Sequence, residues 1–283
     1  MIPLDVEGYR RDGYLVLKGQ VPITAIEACL DEIRTIFNQM ALRCDVAPAA
    51  ASDMASLSRT MAALFRRDMQ AYLAAARLAQ HMVSLHRLGC DDALIGPLRA
   101  LGLDTPVIST RPVIFFMADA LKVPGGYHKT PPHQDWRSIQ GSLDGVVAWI
   151  PFSSADRFNY PLEVLPGSHR LGLLPSIEDA FGHRVDEAAL PGEAFTTLEV
   201  ERGDMVMFSS FLVHRTGEAG GEVARCAASF RFNNVTEPTF AERGYPNPYI
   251  YRPDMTLLTP GFPDERQLGR VFPAPADASS KGR

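Results

Sequence analysis

Beyond Gly102 the sequence breaks into short runs rich in β-branched and aromatic residues: PVISTRPVIFFMA, GVVAWIPF, LEVLPG, AFTTLEV, DMVMFSS and RCAASFRFNNV. Glycine, proline, asparagine and aspartate separate them, so the strands are joined by turns rather than by the helices that a parallel sheet requires. Such strands bury one another, which predicts a barrel or double-sheet jelly roll. The expected fold is mainly β with a helical N-terminal part: a double-stranded β-helix over 105–235, flanked by helices.

The first hundred residues have a different texture. Residues 24–40, TAIEACLDEIRTIFNQM, place Ile26, Leu30, Ile33, Phe37 and Met40 on one helical face, and Thr24 with Glu27 reads as a capping box. Before them DGYLVLKG reads as a short strand with Tyr14 and Val16 on one side. From Asp53 to about Leu88 the composition predicts one or two further helices, and Asp91–Leu101 a shorter one. A chain of 283 residues can bury a sizeable core, here as a single domain with 1–104 as the helical flank. Residues 236–283 are proline-rich and read as a C-terminal extension ending in a frayed tail.

Composition narrows the partners. No apolar run approaches the ~20 residues that cross a bilayer, and no secretory signal is visible, so a cytoplasmic location without membrane association is expected. A net charge of -5 without a basic block argues against nucleic acid. Cys29, Cys44, Cys90 and Cys226 show no zinc-module spacing and read as reduced thiols. A small molecule is the expected partner, and a homo-oligomer is compatible with this reading.

The stretch TPPHQDWRSIQG sets His133 and Asp135 two apart, and on a strand such residues point to one side. A third ligand is available in GDMVMFSSFLVH, where His214 follows a strand-like run. Two histidines and one carboxylate leave three coordination positions open, the arrangement of non-haem Fe(II) oxygenases. Either histidine alone would read as an ordinary polar residue. The alternation of RCAASFRFNN gives Arg225, Ala227, Ser229, Arg231 and Asn233 one face and Cys226, Ala228, Phe230 and Phe232 the other. Two arginines inside a barrel call for anions, and a guanidinium fork matches a carboxylate. A dicarboxylate that chelates iron at its keto-acid end and meets Arg225 at the other would satisfy both. For Arg231 two partners remain open, a substrate anion or a nearby Asp or Glu.

In the order and spacing of YRRDGYLVLKG, HQDW, LEVLPGSHRLGLLP, GDMVMFSSFLVH and ARCAASFRF, the chain resembles the phytanoyl-CoA dioxygenase family of Fe(II)- and 2-oxoglutarate-dependent oxygenases. The resemblance implies His133, Asp135 and His214 as catalytic iron ligands, Arg225 as the 2-oxoglutarate anchor, Trp149 beside the co-substrate, and O2 as the oxidant. Ser229, on the face of Arg225, joins the expected co-substrate contacts. Asp135 stands where related halogenases have a small residue, so hydroxylation or another oxidation is expected. Arg231, Trp136, Lys129, Asn233 and Arg137 are the expected substrate contacts, with Arg111 and Tyr127 also near the mouth. Residues 153–161 and 176–193 are the expected lids, and His169 is expected to hold a turn rather than a metal. At NYPLEV the sequence departs from the family, with Tyr160 where glycine is frequent. Two rival readings are a jelly-roll isomerase or dioxygenase that needs no 2-oxoglutarate, which the arginine after the last ligand argues against, and a ligand-binding jelly roll without catalysis.

Overall fold

The computed structural model describes residues 4–249 apart from 52, 125–128 and 193, and beyond them 256, 259–260, 262 and 265–271. Two compact units divide at Tyr249. In the second, α9 (Glu265–Gly269) is the described helix, and the expected frayed tail lies outside the described residues.

The first unit opens with α1 (Val6–Asp12), β1 (Tyr14–Leu17) and the long α2 (Ile23–Arg43). Ile26, Leu30, Ile33 and Phe37 of α2 are buried as the periodicity predicts. The expected capping box is not used. Pro22 takes the N-cap position with φ -56, placing Thr24 inside the first turn, and Glu27 pairs instead with Arg202 at 2.8 Å. The next helical stretch is three helices rather than one or two: α3 (Met54–Arg67), α4 (Met69–Ala79) and α5 (Val83–Gly89). Asp68 makes the first break. It lies extended at the end of α3, and its carboxylate accepts a hydrogen bond from the Ala71 amide to start α4. The short helix α6 (Asp92–Ala100) is capped in the same way by Asp91.

Three strands come next, β2 (Pro106–Ile108), β3 (Val113–Met117) and β4 (Val146–Pro151), with the one-turn helix α7 (Trp136–Ile139) between the last two. Then follow β5 (Leu162–Val164), β6 (Ser176–Asp179), β7 (Gly182–Val185), β8 (Thr196–Leu198), β9 (Met205–Ser209), β10 (His214–Thr216) and β11 (Arg225–Asn234), and α8 (Pro238–Glu242). The large antiparallel sheet runs β1-β9-β4-β11-β2, with β3 also paired to β11, and the smaller runs β10-β5-β8. This is the expected jelly roll with a helical flank. The β6–β7 hairpin is additional, folding part of the expected 176–193 loop into a ribbon.

The faces of β11 position everything else. Cys226, Ala228, Phe230 and Phe232 join the helix-side core with Ile33, Phe37, Met61 and Leu85. On the other side Ala227 joins Val147, Trp149, Val206, Phe208 and Leu212 between the sheets. At roughly 25 cal/mol for each Å² of apolar surface buried, the helix-side face anchors the strand whose other face carries the arginines. The GD turn before β9 is tied to the end of β1, because Asp204 accepts hydrogen bonds from the Gly19 amide at 2.9 Å and from Lys18 Nζ at 2.7 Å.

Candidate metal centre

His133 forms an antiparallel bridge with His214, each amide donating to the other's carbonyl at 3.1 Å. The expected continuous strand through His133 and Asp135 is not what brings them together. Asp135 has already turned into helical geometry, with φ -61 and ψ -32, as the residue before α7. The convergence comes from a bridge followed by a turn, and it places one ligand atom from each of His133, Asp135 and His214 within 4.8 Å of the others. All three residues are buried. Gln134, between the two ligands, is a residue that the sequence reading passes over. Its side-chain nitrogen donates to the carbonyls of Gly172 and Phe211 at 2.8 and 2.7 Å, and its oxygen accepts from the Leu174 amide at 2.8 Å. Two loops, at 172–174 and at 211, are pinned to the ligand segment by one buried amide.

The ring orientations suit a metal. His133 Nδ1 lies 2.9 Å from the Pro131 carbonyl and 3.1 Å from that of His214, and His214 Nδ1 lies 3.0 Å from that of Leu212. Carbonyl oxygens only accept, so Nδ1 carries the proton in both rings and each Nε2 keeps a free lone pair. Burial, and then the neighbouring His133, lower His214 to about 3. Burial pushes the Asp135 carboxyl upward, but the Arg231 guanidinium and His133 outweigh it and hold the group well below the usual carboxylate range. Two neutral imidazoles and one carboxylate are a donor set that fits Fe(II).

A cleft of about 410 Å³, open solvent included, extends from this cluster between the sheets, with Trp149, Arg225, Ser229 and Arg231 in its lining. Arg225 is 3% exposed, and among the described residues its Nε and Nη1 have no hydrogen-bond partner. Burial lowers its guanidinium to about 10, which leaves it charged at neutral pH. Its Cζ stands 5.4 Å from the centre of the Trp149 ring, and Ser229 pairs across the sheet with Trp149. Thr130, Arg215 and Thr216 also line the cleft, and the sequence reading did not single them out. Arg215 and Thr216 could have been found by continuing the strand from His214.

The expected substrate contacts fare differently. Arg231 lines the cleft, but its Nε donates to Asp135 Oδ2 at 2.8 Å and its Nη2 to Oδ1 at 3.3 Å, so the carboxylate is its partner. Asn233 turns its oxygen to the Ser142 amide at 3.2 Å. Trp136 stacks on Phe211 with ring centres 5.1 Å apart, and Arg137 donates to the Leu174 carbonyl at 2.5 Å. Lys129 is paired with Glu218, and Arg111 with Gln80. None of these side chains other than Arg231 is in the described lining of the cleft. Each is engaged elsewhere by the partner just named, and Trp136 and Arg137 belong to α7, which begins after the turn at Asp135. Tyr127 lies outside the described residues. His169 Nε2 lies 3.2 Å from the carbonyl of Arg10 in α1, a contact between distant segments rather than within its own turn. Tyr160 has φ 49, the left-handed region that favours glycine, and its buried hydroxyl donates to Asp119 at 2.7 Å.

The family model for phytanoyl-CoA dioxygenase matches residues 9–226. The chain belongs to the phytanoyl-CoA dioxygenase family. Members of this family are Fe(II)- and 2-oxoglutarate-dependent oxidoreductases. A curated relative of this family member, phytanoyl-CoA dioxygenase 1 of Oryza sativa subsp. japonica, is 30% identical over 125 residues, which take in 42% of this chain and 44% of the relative. The match thus spans less than half the relative's length. Among solved structures, the fold is similar to that of the epimerase SnoN in complex with Fe3+, alpha ketoglutarate and nogalamycin RO, with a TM-score of 0.57, 17% identity and 82% of each chain covered. EctD from S. alaskensis with bound Fe gives a TM-score of 0.51 at 18% identity over 82% of this chain and 76% of that one. The non-heme monooxygenase ThoJ, as its Ni complex, gives 0.51 at 15% identity over 81% and 76%. Among the described residues, no helix is long and apolar enough to cross a membrane.

Proposed function

We propose that this chain is an Fe(II)- and 2-oxoglutarate-dependent dioxygenase that oxidises an unactivated C–H bond of a small polar metabolite, by hydroxylation in the simplest case, with release of succinate and CO2. The observation that carries this reading is the pairing, across one buried cleft, of the His133–Asp135–His214 cluster with a guanidinium whose Nε and Nη1 are unpartnered. A buried cation without a counter-charge is costly, and the far carboxylate of 2-oxoglutarate supplies one.

His133 Nε2, His214 Nε2 and an oxygen of Asp135 would hold the iron. Bound iron with 2-oxoglutarate supplies the two-electron oxidation of the co-substrate and the activation of O2. The chain contributes binding, orientation and exclusion of water. Carbonyls of Pro131, His214 and Leu212 hold the Nδ1 protons and so fix both imidazole tautomers. Arg225 orients the co-substrate by its far end, with the Trp149 face beside it and Ser229 as the neighbouring hydroxyl. Phe115, Leu162 and Phe208 line the cleft with apolar surface and limit its hydration. At the His133 side, Phe181 from the β6–β7 turn packs edge-on against the imidazole, ring centres 4.8 Å apart, as a wall near which substrate enters. Thr130, Thr216 and Arg215 make the rest of the lining polar, which supports a polar metabolite over an acyl thioester. Asp135 occupies the position that halide would take, which supports hydroxylation over halogenation.

The test is anaerobic addition of Fe(II) and 2-oxoglutarate. A weak visible charge-transfer band is expected in the native protein and its absence in His214→Ala. A screen of small polar metabolites, read as succinate formed per O2 consumed, then identifies the coupled substrate. A native protein that gives no band and no succinate contradicts the proposal.

A further inference from the structure

We propose that Arg231 is the positioning residue for the iron-binding carboxylate: it holds Asp135 by the outer oxygen and presents the inner one to the metal. The inference rests on reading His133, Asp135 and His214 as the iron site, and goes beyond it by making metal occupancy depend on a side chain that touches no metal.

Three observations converge. First, Asp135 precedes α7 but does not cap it, because no amide of that helix bonds its carboxylate. Aspartate at such a position ordinarily turns back onto the helix amides, so something else must hold the group where it stands. Second, the two carboxylate oxygens are not equivalent. Oδ2 takes the shorter bond, 2.8 Å from Arg231 Nε, whereas Oδ1 lies 3.3 Å from Nη2 and 3.5 Å from His133 Nε2. The oxygen gripped less firmly is the one that faces the imidazole nitrogen with the free lone pair. Third, the anchor is stiff. Arg231 sits in the middle of the sheet, on β11 opposite Val147 of β4, and its side chain is 12% exposed beside a carboxylate side chain at 4%. A planar fork fixes both the angle and the distance of a carboxylate, which an ammonium group cannot do. Groups that orient metal ligands in this way are typically worth about 10- to 100-fold in metal affinity or activity.

The experiment uses the full chain, stripped of metal and titrated with Mn(II) as a redox-inert probe, with free Mn(II) read by electron paramagnetic resonance. The variants are Arg231→Met, Arg231→Lys and, as a ligand control, His214→Ala. Arg231→Met is expected to weaken Mn(II) binding by about 10- to 100-fold, Arg231→Lys to recover only part of the loss, and His214→Ala to bind least. At saturating Fe(II), the KM values of Arg231→Met for 2-oxoglutarate and for a coupled substrate should stay within twofold of native. A Mn(II) Kd for folded Arg231→Met within twofold of native overturns the positioning role, as does a raised substrate KM with unchanged Mn(II) affinity, which would return Arg231 to substrate binding. If Arg231→Met does not fold, Arg231→Lys decides by the same Mn(II) criterion. Should the native chain bind Mn(II) no better than His214→Ala, the metal reading itself fails. Binding by the native chain with unaltered Arg231 variants fails the positioning role alone.

Discussion

At one end of the cleft Arg225 keeps Nε and Nη1 without a partner, while at the other Arg231, on the same face of the same strand, is forked onto Asp135. Arg225 is buried and Arg231 is largely so, with its side chain 12% exposed, and the physics of desolvation applies to both. The difference lies in where the counter-charge comes from. Arg231 finds it in the chain, so the metal end of the cleft is assembled when the protein folds. Among the described residues Arg225 has no such partner for Nε and Nη1, so the co-substrate end is left electrostatically incomplete until a dicarboxylate arrives. Its surroundings are the Trp149 ring and the antiparallel partner Met117. One arginine therefore contributes to the fold, and the other holds binding energy in reserve at a cost to the fold.

Substitutions can break or sharpen that contrast. The largest effect is expected from His214→Ala, which removes an Nε2 donor and should abolish succinate formation at any 2-oxoglutarate concentration. Next comes the stability of the Arg231 end. Arg231→Met leaves the Asp135 carboxylate buried without its cation and should destabilise the metal-free protein by about 3–5 kcal/mol in a denaturant titration. Arg225→Met should have the opposite sign, leaving the metal-free protein as stable as native or more so, because a buried charge without a full set of partners is removed. The same substitution should weaken 2-oxoglutarate by about 2–3 kcal/mol, roughly 30- to 150-fold in apparent affinity at saturating iron. If both methionine variants lose stability equally, the contrast between the two ends is wrong. The smallest effect is expected from Trp149→Phe, which weakens the cation–π face beside Arg225. A loss of about 0.5–1 kcal/mol, or two- to fivefold in the KM for 2-oxoglutarate, should be seen with little change in kcat.

The contrast also marks where the sequence was legible. The face of β11 that carries the arginines followed from strict alternation in RCAASFRFNN, because a strand between apolar layers has only two sides to offer. The amphipathic helix α2 was legible from the three-and-four spacing of its apolar residues, and the strands at VVAWIP and MVMFS from continuous apolar runs that are buried throughout. The triad was legible as residue types, yet its geometry was not. The spacing of His133 and Asp135 implied a strand, whereas a bridge and a helical turn bring them together, and Trp136 and Arg137 beyond that turn engage Phe211 and the Leu174 carbonyl. Arg231 could not be assigned between substrate and carboxylate, because the choice depends on where a turn nearly a hundred residues earlier in the chain places Asp135. Gln134 was hidden for a similar reason: its partners at Gly172, Leu174 and Phe211 come from distant loops. The SIED and GHRV strands of the β6–β7 hairpin are polar and carry few β-branched residues, so nothing in their composition distinguished them from loop.

The central claim is that the three ligand side chains and Arg225 bracket one iron and one dicarboxylate. Crystals grown anaerobically with Fe(II) and 2-oxoglutarate, measured across the iron absorption edge, test it most directly. The account predicts one anomalous peak bonded to His133 Nε2, His214 Nε2 and Asp135 Oδ1, with the far carboxylate of 2-oxoglutarate on the Arg225 guanidinium. A peak elsewhere, or a co-substrate whose far end leaves Arg225 unpartnered, contradicts it.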